Sequence, residues 1–249
     1  MEGEIAVARA LQGPHPVSAL LLTAAHRARL SAWIDAELPV YEVEAAVLRE
    51  VVGFRFHRGC VAVMPRPRMP SLVQVLGQVL EGESGPGSGV LVVLAEGLAD
   101  PVNLGALIRN ARAFGASAVL HGRGADPWER RAIRASMGLG LSMPVLEHDD
   151  LVGAVAQLRA CLGPSARTVA AVVDEGSIPL HRYRSPPHAV LMVGNEGAGL
   201  SESLRAVADD AVTIPLAAGV DSLNAAAATA VLLWELRRGA AAAESEGHR

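Results

Sequence analysis

Apolar residues along the chain fall into two alternating patterns. Short continuous runs such as VSALLLT at 17–23 predict strands, and stretches with apolar positions three and four apart predict helices. Residues 24–37 are of the second kind, with Leu30, Trp33, Ile34 and Leu38 near one helical face. PVYEV at 39–43 suits a strand, 44–52 a helix and GCVAVM at 59–64 another strand. This alternation predicts a small α/β domain. GESGPGSG at 82–89 has the Gly, Ser and Pro content of a flexible connector. VLVVLA at 90–95 then opens the second part as a run that is apolar throughout, the mark of a strand covered on both faces. Asp100 and Pro101 follow as the N-cap and first turn of a helix. Further strands are expected at 117–121, 167–173, 188–193 and 211–214, and helices at 127–136, 149–162, 200–208 and 222–238. The order implies an α/β fold with a mostly parallel sheet flanked by helices. The expected limits are 1–81 for the small domain, 82–89 for the connector and 90–239 for the large domain. Residues 1–16, with two glycines and two prolines, are expected to be poorly structured, and 240–249 to form a flexible tail.

Composition narrows the function classes. No stretch approaches the ~18 uncharged apolar residues of a membrane-spanning helix, so no membrane partner is expected. The opening MEGEIAVARA has acids where a secretory leader needs bases. The two cysteines, Cys60 and Cys161, lie far apart without CxxC spacing, so neither a disulfide scaffold nor a metal cage is expected, and a reducing cytoplasm fits. Net charge is −4, yet all 22 basic residues are arginines. They concentrate in 49–68, which holds Arg49, Arg55, Arg58, Arg66 and Arg68, and in 109–134, which starts with Arg109 and Arg112. Arginine offers planar bidentate donors to phosphate and stacks on bases, so these stretches are either RNA-binding or solvated faces.

Ligands of open parallel sheets bind at the carboxyl ends of strands, and three segments there carry candidate chemistry. In DPVNLGALIRNARAFG (100–115), Leu104, Leu107, Ile108, Ala111 and Phe114 form an apolar stripe, with Arg109 nearly opposite and Asn103 at the stripe's edge. The two are about 9 Å apart along the axis, and a long arginine leaning toward the helix start could reach back toward Asn103. Read alone, this is a capped amphipathic helix with a surface arginine. In VLMVGNEGAGL (190–200), Gly194, Gly197 and Gly199 permit tight turns and close approach of backbone to a ligand. Glu196 among them repels phosphate and suits an uncharged or cationic ligand. The segment matches neither GxGxxG nor GxxxxGK[ST], which argues against a nicotinamide or nucleotide enzyme. In TIPLAAGVDSLNAAAATAVLLWEL (213–236), Ser222 is expected to cap a helix with Asn224 in its first turn.

Taken in order, N-x5-R, GNEGAGL and IP-x6-SLN resemble the SPOUT superfamily, and within it the SpoU/TrmH family of RNA ribose 2'-O-methyltransferases. The likeness covers about 90–238. VYEVEAAVLREVVGFRFHRGCVAV (40–63) is similar to that family's small, ribosomal L30e-like α/β substrate-binding domain. The resemblance implies a C-terminal α/β trefoil-knot domain, S-adenosyl-L-methionine as cofactor, an RNA substrate (rRNA first, tRNA as the alternative) and a homodimer, with no DNA partner and no metal. It assigns catalysis to Asn103, Arg109, Glu196, Ser222 and Asn224. Cofactor binding falls to Val193, Gly194, Asn195, Ile214, Leu216 and Leu223, and RNA contacts to Arg55, Arg58 and Arg112. The rival is a catalytically weak RNA-binding or ribosome-assembly protein that keeps the fold. The presence of Asn103, Arg109 and Glu196 favours the enzyme.

Overall fold

The computed structural model describes residues 1–52, 58–82 and 89–247. Arg55, and residues 83–88 of the expected connector, lie outside them.

The chain begins with a helix, α1 (Glu4–Gln12), where little regular structure was expected. The glycines and prolines of this segment bracket the helix rather than interrupt it. Gly3 caps its start at φ 92°, and Gly13 ends it with an N–H bonded to the Ala10 carbonyl. Ala6, Val7 and Ala10 give it a buried face. Next come β1 (Ala19–Leu22), α2 (Ala24–Leu30), β2 (Val40–Glu42), α3 (Ala45–Val52) and β3 (Cys60–Val63). The three strands form a sheet in the order β2-β1-β3, parallel between β1 and β2 and antiparallel between β1 and β3. Leu20, Leu22, Cys60 and Ala62 point to one face, where they pack with Val7 and Leu30. The expected helix over 24–37 is shorter, because the chain tightens into a 3-10 turn at Ser31–Trp33 and leaves Trp33 exposed.

α4 (Leu72–Gly82) was not anticipated. Its Leu72, Val75 and Leu76 are buried in the core of the large sheet, so the first 81 residues do not make a single packing unit. The remaining elements are β4 (Leu91–Ala95), α5 (Pro101–Ala113), β5 (Ala118–His121), α6 (Arg130–Ala135), β6 (Val145–Glu147), α7 (Leu151–Leu162), β7 (Ala166–Ala171), β8 (Ile178–Pro179), β9 (His188–Val193), α8 (Glu202–Ala206), β10 (Asp210–Thr213) and α9 (Ala225–Gly247). α9 starts three residues later than predicted and runs on past 239 into the segment expected to be a tail.

The seven strands from β4 to β10 form one sheet in the order β6-β5-β4-β9-β7-β10-β8, and every pairing is parallel. β4 and β5 are buried at every position and β9 at all but its first. That is why their sequences are continuous apolar runs. One face packs against Leu104, Leu107 and Ile108 of α5 and Leu232, Leu233 and Leu236 of α9. The other face packs against α4, α7 and Leu204 of α8. Each such leucine contributes about 1.5–3 kcal/mol when fully withdrawn from water. Gly105 lets α5 and α6 touch, since a Cβ there would stand 2.3 Å from the Ala132 carbonyl oxygen.

The small sheet is tied to the large one by polar contacts. Arg130 reaches the buried Glu2 carboxylate at 3.3 Å, Arg9 donates to the Met137 carbonyl at 2.6 Å, and Arg66 pairs with Asp126. The loops that follow β4, β9 and β10 all leave the carboxyl edge of the sheet, where the three sequence segments meet.

Candidate active site

The first segment folds as its spacing dictates. The Asp100 side chain accepts the Val102 N–H at 3.0 Å, Pro101 occupies the first turn, and the apolar stripe turns inward. Asn103 is left half-buried at the start of α5, and Arg109 is exposed about 1.7 turns further on.

The second segment is a loop closed on itself. Asn195 and Gly199 exchange backbone hydrogen bonds of 3.0 and 2.9 Å. The Asn195 side chain holds the same loop: its Oδ1 accepts from Gly197 and Ala198, and its Nδ2 donates to the Gly97 carbonyl at 2.7 Å. Gly194 is required by contact, since a Cβ there would stand 2.1 Å from the Gly199 carbonyl carbon. Glu196 is thereby turned toward the start of α5. Its Oε1 accepts from Asn103 Nδ2 at 2.8 Å and from the Asp100 N–H at 3.4 Å, and its Oε2 accepts from the Ala99 N–H at 3.1 Å. Burial alone would raise the Glu196 pKa. The hydrogen bonds from Asn103, Ala99 and Asp100 outweigh it and hold the group below the ordinary carboxylate value. Glu196 is an ionised anchor.

The third segment differs from expectation in one respect. Asn224, not Ser222, caps α9: its Oδ1 accepts from Ala226 and Ala227 at 3.0 and 3.2 Å, and its backbone carbonyl accepts from Ala228. Both residue types make good caps, and the choice falls on the one whose remaining amide group has a partner. Asn224 Nδ2 donates to Asn103 Oδ1 at 2.8 Å. One chain of hydrogen bonds, Asn224 to Asn103 to Glu196, therefore joins all three segments.

These loops enclose a cavity of about 630 Å³. Val193, Gly194, Asn195, Ile214, Leu216 and Leu223, the expected cofactor contacts, all line it, as do Asn103, Glu196, Ser222 and Asn224. Ala171 at the end of β7 and Val172 and Val173 just beyond it complete an apolar wall, and Asp221 also lines the cavity. Arg109 lies outside the lining. It does not reach back to Asn103, and it has no hydrogen bond or ion pair among the described residues.

Two residues of the site were not singled out in the sequence. Asn110 donates to the Ala226 carbonyl at 2.7 Å and locks α5 to the first turn of α9. Its signal was its spacing, seven residues from Asn103 and so on the same helix face. Asp221 was hidden beside Ser222. The expected RNA contacts are not gathered at the cavity. Arg112 is exposed in the last turn of α5, and Arg58 lines a separate cleft with Glu2, His26 and Arg134.

The SpoU rRNA Methylase family matches residues 90–234. An uncharacterised tRNA/rRNA methyltransferase of Mycobacterium tuberculosis is 34% identical over 215 residues, covering 80% of this chain and 66% of the relative. The chain thus spans about two thirds of that relative's length. A 23S rRNA (guanosine-2'-O-)-methyltransferase of Ralstonia nicotianae is 30% identical over 192 residues, covering 77% of this chain and 73% of the relative. Among solved structures, the SpoU methyltransferase AviRb of Streptomyces viridochromogenes superposes with a TM-score of 0.79 at 25% identity, covering 98% of this chain and 90% of that one. AviRb in complex with the cofactor AdoMet gives 0.78 at 25% identity, with 96% and 88% covered.

Proposed function

The chain belongs to the SpoU rRNA methylase family, and from that premise we propose that it is an RNA methyltransferase using S-adenosylmethionine. We place the methyl group on a ribose 2'-hydroxyl, in large-subunit rRNA rather than tRNA, and the enzyme in the cytoplasm as a homodimer. The observation that carries this reading is the Asn224–Asn103–Glu196 chain, which brings three loops from distant parts of the sequence to one cavity. At about 630 Å³ the cavity is of the size that holds a cofactor-sized ligand. Among the described residues, its only ionisable wall groups are the carboxylates of Glu196 and Asp221. Apolar walls with acids and no cation suit an adenosyl group joined to a positively charged donor.

S-adenosylmethionine, when bound there, supplies a methyl group already activated for transfer. The protein's own work is to bind, orient and manage one proton. Val193, Ile214, Leu216 and Leu223 hold the cofactor's apolar surface, with the backbone of Gly194 close by. Asn103, fixed on both sides, presents a rigid amide at the mouth of the cavity. Ser222, whose hydroxyl has no partner among the described residues, is free to donate to substrate. A guanidinium offers donors and no acceptor, so Arg109 is no base. Its exposed guanidinium grips the phosphate beside the target ribose and polarises the 2'-hydroxyl, whose proton leaves to that phosphate and on to water. Arg58, Arg112 and Arg55 carry more of the RNA backbone.

The test is direct. Purified protein is incubated with labelled S-adenosylmethionine and either transcribed 23S rRNA domains or tRNA, and the products are digested to nucleosides. A 2'-O-methylated nucleoside from rRNA supports the reading. Label on a base, or no uptake of cofactor, overturns it, and label in tRNA alone moves the substrate assignment.

A further inference from the structure

The wall of the cavity holds two carboxylates in different situations. Glu196 is committed, with an amide and two backbone N–H groups directed at it. Asp221 is exposed, lines the same cavity, and has no hydrogen bond or ion pair among the described residues. Its placement is built into the local chain. Val220 donates to the Ala217 carbonyl at 3.2 Å, and Gly219 has φ +81°, the arrangement of a tight turn that needs glycine at its third position. No atom stands within 4 Å of a Cβ added to Gly219, so that glycine is there for its backbone angle. The turn delivers Asp221 to the cavity immediately before Ser222 and Leu223. Among the described residues, no arginine or histidine lines the cavity to neutralise it.

We propose that Asp221 is a charge-selecting residue, which binds the positively charged methyl donor and releases the neutral product. The inference rests on the methyltransferase reading above. The methyl donor carries a sulfonium and an ammonium against one carboxylate, a net charge of +1. Transfer forms a carbon–oxygen bond to the ribose and breaks the carbon–sulfur bond, whose electron pair stays on sulfur as a neutral thioether. The hydroxyl proton leaves to solvent. One positive charge therefore disappears from the cavity with each turnover, and the attraction of an uncompensated carboxylate for the ligand falls with it. Glu196 cannot supply this selectivity to the same degree, because its charge is already met by donors.

The residue thus acts on ligand exchange more than on the chemical step. A carboxylate that stabilises the charged donor holds it in the ground state, where the charge is greatest, and less so as the methyl leaves. Losing that carboxylate should raise KM for the donor without lowering kcat.

The experiment compares the unaltered protein with Asp221→Asn by calorimetric titration with three ligands: S-adenosylmethionine, S-adenosylhomocysteine and sinefungin, in which an ammonium replaces the sulfonium. Asp221→Asn should weaken the two cationic ligands about five- to tenfold, or about 1–1.4 kcal/mol, and leave the thioether within about twofold. The gap between ligands should narrow with added salt in the unaltered protein and be insensitive to it in the variant. Equal weakening of all three would show that Asp221 holds a part common to them, such as the ribose, and would overturn the inference. So would no weakening at all. An Asp221→Glu variant that restores the preference supports the charge and not the shape. If the unaltered protein binds none of the three, the methyltransferase reading itself has failed; if it binds them without preference for charge, only this inference has.

Discussion

Removing the central hydrogen bond of the site tests whether the three loops act as one device. Asn103→Ala deletes two bonds of 2.8 Å, one to Glu196 and one from Asn224. Glu196→Gln keeps the shape, but its amide must set an N–H against at least one of the donors now aimed at the carboxylate. A hydrogen bond to a charged group contributes about 1.5–3 kcal/mol when shielded. Glu196 is exposed, so solvent competition lowers this to about 1 kcal/mol, and the midpoint of thermal unfolding should fall by about 2–4 °C in either variant. The effect on turnover should be larger, because the Asn103 amide is absent in the first variant and no longer held by a carboxylate in the second, and kcat/KM should fall about 10- to 100-fold. The decisive measurement is the double variant. If both changes break the same link, it should lose little more than the worse single variant, with a coupling of about 1 kcal/mol in stability and about 1.4–2.7 kcal/mol in activity. Losses that simply multiply would refute the idea of a shared chain, and undiminished turnover in Asn103→Ala would refute its role at the site.

Other outcomes follow from the same geometry. Arg109→Ala should leave the unfolding midpoint and cofactor affinity unchanged, since the side chain is exposed and without partners among the described residues, while kcat falls by about 10² or more, as for loss of a group assisting proton transfer; equal loss of cofactor binding would make it structural. Gly194→Ala places a Cβ 2.1 Å from the Gly199 carbonyl carbon and 2.2 Å from the Leu200 nitrogen, so the loop must open and titration should show cofactor affinity reduced about tenfold or more, a loss of about 1.4 kcal/mol; an unchanged affinity would place the cofactor elsewhere. Stability should fall in acid in two stages. Burial lowers the His121 pKa, so below about 6.5 the unfolded chain takes up a proton that the folded one refuses, and stability declines from there. Asp209 is opposed by burial, but hydrogen bonds from Thr168 and Arg159 hold it low, so its contribution is complete above the ordinary aspartate range and is lost as pH falls through its depressed folded value. Unfolding midpoints measured from pH 8 to pH 3 should show His121→Gln weakening the first decline and Asp209→Asn the second, since His26 and Glu196 are lowered as well; curves parallel to the unaltered protein's would contradict both.

The sequence by itself determined the elements whose local pattern and burial coincide. Continuous apolar runs at β4 and β9 announce strands covered on both faces, and the stripe of Leu104, Leu107 and Ile108 announces which side of α5 turns inward. The three segments and most of their site residues were legible too, because turn glycines and capping side chains are read within a few positions of one another. What tertiary structure decided is everything that depends on partners far along the chain. α1 exists because Ala6, Val7 and Ala10 find a core to bury against, although their flanks read as breakers. α4 lies on the large sheet because its leucines fit beside α7, which no local pattern reveals. Asn224 became the cap of α9, and Asn103 turned to Glu196 rather than to Arg109, because hydrogen bonds across 121 and 93 residues set their side chains. Asp221 acquired its place on the cavity wall in the same way. Periodicity reports the surroundings of a residue within about two helical turns, whereas a binding cavity is made of contacts that close only when distant loops meet.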